Sequence, residues 1–141
     1  MLHALDIAFV VFHTALVVFN LAGWAVPPLR RANLVTLGLT GLSWGGLGFF
    51  YGFGYCPFTD WHWMVLRRLG ETDLPRSYIQ YLLIRLLGLR VDAEVVDAVV
   101  LLSFLAALAV SLTLNIRDMR KRRGRGRRIQ QQSTGPSQGL Q

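Results

Sequence analysis

Apolar residues gather in three stretches, Leu5–Val26, Leu34–Tyr55 and Ala98–Ile116. Each is long enough to cross a bilayer as a helix, which takes about 20 residues. The third extends back to Asp92, which reads as an N-cap, with Glu94 and Asp97 in the first turns where carboxylates suit the helix dipole. The pattern predicts an all-α, polytopic membrane bundle occupying residues 1–116, with spans at about 5–26, 34–55 and 93–116. A loop, residues 56–92, joins the last two spans.

Each span carries one interruption that repeats at helical spacing. In the first, Asp6, His13 and Asn20 stand seven residues apart. Two turns separate each from the next, so all three share a face at intervals of about 10 Å. An ionisable side chain in lipid costs roughly 2.5–3.5 kcal/mol, so this face points at protein. In the second, Gly38, Gly41, Gly45, Gly48 and Gly52 alternate spacings of three and four. Five helical glycines cost roughly 1 kcal/mol each against alanine, and in a membrane they are tolerated because small residues let helices approach closely. This predicts a packing face, with Gly45 and Gly48 against the first or third helix. In the third, Ser103, Ala107, Ser111 and Asn115 recur every four residues and read as its counterpart.

The connections have content of their own. Pro27 and Pro28 end the first helix, and Arg30 and Arg31 suit a headgroup region. In the long loop, Thr59 or Asp60 can cap a short helix to about Leu69, stopped by Gly70. A second short helix, Pro75–Leu87, ends at Gly88. At 1.5 Å per residue it covers roughly 20 Å, short of the ~30 Å hydrocarbon core. It is expected to lie flat over the bundle mouth, with Arg76 and Arg85 at headgroups and Tyr78, Tyr81 or Leu82 touching Cys56–Trp63. Tyr55, Trp61, Trp63 and Tyr78 fit an aromatic belt.

Charge orients this frame. Of 15 Lys and Arg, ten lie in the first connection and after the third span, whereas the loop 56–97 holds five arginines and six acids. The positive-inside rule puts the first connection and the tail in the cytoplasm and the N-terminus and long loop outside. The net charge of +7 is therefore read mainly as a topology signal, not as a nucleic-acid interface. The basic tail, residues 117–141, loses apolar periodicity and turns Gln/Ser/Gly-rich; it is expected to be disordered and to sit near anionic lipid.

Candidate chemistry is sparse. No phosphate loop, serine triad or dinucleotide fingerprint is present, and a single cysteine precludes an internal disulfide. Cys56, Asp60 and His62 cluster at the exit of the second span. With His13 they could ligate a metal or contact haem or quinone, yet the paired spacing of zinc sites is missing. His62 could also act as a base for Cys56. The plainer reading is a helix exit stopped by Pro57 and anchored by tryptophans. His13 likewise reads either as a relay or ligand or as a hydrogen-bonded neutral histidine. Asp6 reads as a helix-start carboxylate or a member of the same site, and Asn20 as interhelical glue.

His13, Cys56-Pro57-Phe58-Thr59, Arg67-Arg68-Leu69-Gly70 and Ser77-Tyr78-Ile79-Gln80-Tyr81-Leu82 together resemble the bacterial inner-membrane family of domain of unknown function 2784. The resemblance covers about Asp6 to Asn115. It implies three or four helices in the inner membrane and no established activity. Two positions depart from the family pattern: His62 stands at an acidic position, and Gln80-Tyr81 replaces a Glu-His pair. The reading is a small multi-pass membrane protein, a non-enzymatic accessory or assembly subunit that meets a membrane partner or its own copies through the glycine face. The alternative is a metal, haem or quinone site built from His13, Cys56, Asp60 and His62, with Asp6 nearby.

Overall fold

The computed structural model describes the backbone of residues 1–52 and 54–133, with side chains through Arg125. Helix α1 spans Leu2–Ala22. Two tight 3-10 turns, Gly23–Ala25 and Pro27–Leu29, reverse the chain into α2, Arg30–Leu42. The second long helix continues through a π-helical segment, Ser43–Leu47, into α3, Gly48–Tyr51. The connecting segment forms α4, Pro57–Arg68, and α5, Tyr78–Leu82, which runs on through a π turn, Leu83–Leu87. Helix α6 spans Ala93–Ser133. Three helical stretches are long and apolar enough to cross a membrane: Leu2–Ala25, Pro27–Tyr51 and Ala93–Arg125.

The long helices are joined along a polar seam. Asn20 donates to the Thr40 hydroxyl at 3.1 Å and accepts from Thr36 at 2.8 Å. Asn33, fully buried, donates to the carbonyls of Phe19 and Asn20. Asn115 of α6 donates to the Arg30 carbonyl, and Ala107 and Ser111 are buried beside it on the same face. The small and polar stripe of α6 thus faces protein, and Asn20 is interhelical glue. Asp92 accepts from the Glu94 amide at 2.8 Å, capping α6 as its sequence implies.

The glycine stripe does not form one packing face. Gly41 lies against Phe104 of α6, where an added Cβ would stand 3.3 Å from the ring, but at Gly38 and Gly45 it would meet nothing within 4 Å. Gly38 and Gly45 are exposed, whereas Gly41 is turned toward α6. The π segment shifts the pattern further, because one extra residue in a turn rotates everything beyond Leu47 by about 100° relative to an unbroken helix. Gly52 ends the helix, with φ +103°. A glycine outside the stripe packs tightly: at Gly23 a Cβ would lie 3.0 Å from the Asn33 amide and 3.1 Å from Phe19.

The backbone of α6 runs on through the basic segment as a helix to Ser133. Arg, Lys and Gln are good helix formers, and a helix already nucleated upstream is extended without a new nucleation cost, which offsets the roughly 1 kcal/mol penalty at each of Gly124 and Gly126. The remainder of the expected disordered tail, residues 134–141, lies outside the described residues.

The two short helices form a cap at the end opposite the basic segment. Helix α4 packs on α1 and α5 on α6. Their shared core is Val10, Trp63, Leu66, Tyr78, Tyr81 and Leu82. Gly70 at φ +95° and Gly88 at φ +68° stop the two short helices where the sequence placed their ends. The start of α4 differs: Cys56 is its N-cap and Pro57 its first residue, so neither Thr59 nor Asp60 caps it. Proline at this first position has no amide to leave unpaired, which makes a side-chain cap less necessary.

Candidate functional site

The inward face of α1 supplies the first half of the site. Asp6 and His13 are each 5% exposed, and Asn20 is also buried. Beneath the cap, α4 brings His62 onto Asp6. Its Nε2 lies 2.9 Å from Asp6 Oδ1, and its Nδ1 lies 2.8 Å from the Tyr78 hydroxyl. Because the Asp6 carboxylate only accepts, His62 donates to it through Nε2–H and accepts from Tyr78 at Nδ1. The imidazole is fully buried, stacked on Phe9 and Trp63.

Arg85 completes the cluster. Carried by the π turn after α5, it places its two terminal nitrogens 2.7 Å from the two Asp6 oxygens and also donates to the Tyr81 hydroxyl. This is a forked charge-assisted pair, the strongest class of hydrogen bond available to these groups. The expectation that Arg85 lies flat at a headgroup is therefore corrected: an apolar helix carrying one arginine gained more by turning it onto the only acid of α1. The π turn is the local means, since an ordinary helical turn would aim position 85 about 100° elsewhere.

The electrostatics follow from these contacts. Burial pushes the His62 imidazole below the ordinary histidine range; Arg85 adds to this, and the Asp6 carboxylate opposes it. Burial lifts the Tyr78 hydroxyl well above the usual phenol value. The hydrogen bond to Asp6 holds Arg85 firmly charged. The cluster is thus one ion pair flanked by a neutral chain from Tyr78 through His62 to Asp6.

His13 sits one step deeper. Its ring lies 4.0 Å, centroid to centroid, from Tyr78, with Nε2 3.4 Å from the Thr59 hydroxyl and 3.9 Å from Cys56 Sγ. Its Nδ1 is buried without a well-formed hydrogen bond. Of the residues singled out by sequence, Asp6 and His62 are joined directly, and His13 and Cys56 are joined to each other. Asp60 stands half-buried in the first turn of α4 and hydrogen-bonds neither histidine among the described residues. No three His, Cys, Asp or Glu side chains among the described residues come close enough to hold a metal ion. Physically, Arg85 already takes both Asp6 oxygens, and His62 uses both ring nitrogens. Sequence reasoning missed Arg85, Tyr78, Tyr81 and Thr59 as members of the site. A charge-matching argument could have found the first, since Asp6 and Arg85 are each alone in an apolar helix.

Three apolar helices closed at one end by two short ones, over a carboxylate–histidine–arginine cluster, define a small all-helical protein compatible with a membrane. The chain belongs to the family described as Protein of Unknown function (DUF2784), whose model matches residues 3–116. Comparison with curated proteins and with solved structures returned no match.

Proposed function

We propose that this chain is a multi-pass protein of the bacterial inner membrane, with its N-terminus and cap outside and α6 ending in the cytoplasm. It acts there as a non-enzymatic accessory or assembly subunit, and its docking face is the exposed side of the second long helix. The observation that carries this reading is the emptiness around Gly38 and Gly45: both bear the helix cost of glycine, yet an added Cβ at either would meet nothing within 4 Å among the described residues. This helix is also the least covered of the three, with Leu39, Leu42, Phe49 and Phe50 exposed along it. A helix that approaches closely in the membrane would recover that cost. The polar cluster supports the reading from the other end, because Asp6, His62 and Arg85 spend their hydrogen bonds on fastening the cap to α1. Photo-crosslinking in intact membranes tests it. A crosslinker at Leu42 should give one discrete protein adduct, lost in Gly38→Leu/Gly45→Leu, and a crosslinker at Val18 of α1 should not. Adducts that are absent, or unchanged by the leucines, would refute the docking face.

A second reading, a metal, haem or quinone ligand at His13 and Cys56, is favoured by one specific observation: the buried His13 Nδ1 makes no well-formed hydrogen bond among the described residues, while Nε2 reaches toward a thiol. Thiolate and imidazole suit soft and borderline metals. Metal analysis and an optical spectrum of purified protein, beside His13→Ala, test it. A stoichiometric metal or chromophore lost in the variant would favour this reading over the first.

A further inference from the structure

The first connection and α6 meet at the basic end in a way that the packing of the bundle does not require. Pro27 and Pro28 form one wall of an open groove of about 340 Å³, and Asp118, Lys121 and Arg122 of α6 form the other, with Arg30 at its floor. A smaller hollow continues it, adding Arg31 and Asn115. Four cations thus surround one carboxylate. Arg30 is spoken for: it donates to Asp118 at 2.9 Å and to the Trp24 carbonyl at 3.0 Å. Arg31, Lys121 and Arg122 are exposed.

The start of α2 adds a second, independent oddity. Its first two residues are Arg30 and Arg31, its first turn holds no acid, and no side chain caps it. Helix N-termini carry partial positive charge and favour anions, so two arginines there work against the dipole. Asp118 offsets one of them. An anion seated in the groove would offset the other and meet Arg31 and Arg122 together.

We infer that this groove binds the phosphate of an anionic phospholipid headgroup. The position selects lipid as the source: the groove lies where two apolar helices end, at the depth of headgroups, if the chain spans the bilayer as proposed above. Basic pockets between helices on one membrane side are suited to such headgroups, with each Lys or Arg contributing on the order of 1 kcal/mol.

The test uses the full chain in nanodiscs of zwitterionic lipid with and without phosphatidylglycerol or a diphosphatidylglycerol lipid, reading retained lipid by native mass spectrometry. Arg31→Gln/Arg122→Gln should lower retention of anionic lipid about thirtyfold, following those contact energies for two cations. Arg117→Gln/Arg120→Gln, which removes the same charge outside the groove, should change it less than twofold. Equal losses in both pairs would overturn the groove in favour of diffuse attraction to the basic helix. Displacement of the lipid by millimolar inorganic phosphate would assign the groove to the free ion and overturn the lipid source. Carbonate extraction of native membranes separates the premises: release of the chain would sink the membrane reading itself, whereas retention with unchanged lipid binding in the groove variant would sink only this inference.

Discussion

Asp6 is the residue on which the cap depends. It accepts from His62 and from both terminal nitrogens of Arg85, so removing its charge strands an arginine and a histidine together. Breaking a fully buried pair costs about 3–5 kcal/mol, and Arg85 is one-third exposed, so Asp6→Asn should cost about 2–3 kcal/mol. Thermal unfolding in mild detergent would measure it. Asp6→Asn/Arg85→Gln should lose less than the sum of the single variants, because neither charge then stands alone. Acid should loosen the same joint. His62 has a folded pKa below its unfolded value, so the unfolded chain binds a proton that the folded one refuses. Its stabilising effect is present above the ordinary histidine value of about 6.5 and declines as pH falls from there toward the depressed folded value. A melting curve that drops below about pH 6.5 in the parent protein, and drops less in His62→Gln, is the expected outcome. Asp6 and His13 could be picked out in the sequence because a polar residue every seventh position in an apolar run has few explanations. Arg85 could not be, because its direction depends on one extra residue in a turn.

At the level of helices, the three long apolar helices, the two short helices and their glycine stops follow from local signals: apolar length, proline, and glycine where the chain must take positive φ. The failure is equally local. A 3.6-residue period drawn through Leu34–Tyr55 assumes an unbroken α-helix, and the π segment Ser43–Leu47 breaks it; the Ser43 hydroxyl donates to the Tyr55 carbonyl at 2.9 Å and ties that segment to the start of the connection. Hence the expected responses to substitution are opposite at two glycines. Gly23→Ala should destabilise the purified protein by about 1–3 kcal/mol, since overpacking a close contact costs that much. Gly45→Leu should leave its detergent melting temperature unchanged. The cap itself can be tested through the single thiol. Cys56 is half-buried under the cap, whose core includes the buried Leu82. A maleimide should label it slowly in the parent protein and several-fold faster in Leu82→Asp; equal rates would mean that the cap does not cover it.

For the whole molecule, polar chemistry is divided between two ends: an internally neutralised cluster under the cap, and unneutralised cations at the other. Reporter fusions test how that axis is oriented. A reporter active only in the periplasm should give signal at Gly70 and none at Gly126, and the reverse would invert the charge argument. The continuity of α6 then has a mechanical consequence. From Arg117 to Ser133 the backbone rises roughly 24 Å along one axis, whereas ionic screening in the cell confines surface potential to about 8 Å. If the chain crosses the bilayer as proposed above, only the first turns of this segment lie within that reach, and the rest stands off the surface as a spar, at a fixed bearing to the three helices, where anything acidic that touches it can exert torque on the bundle.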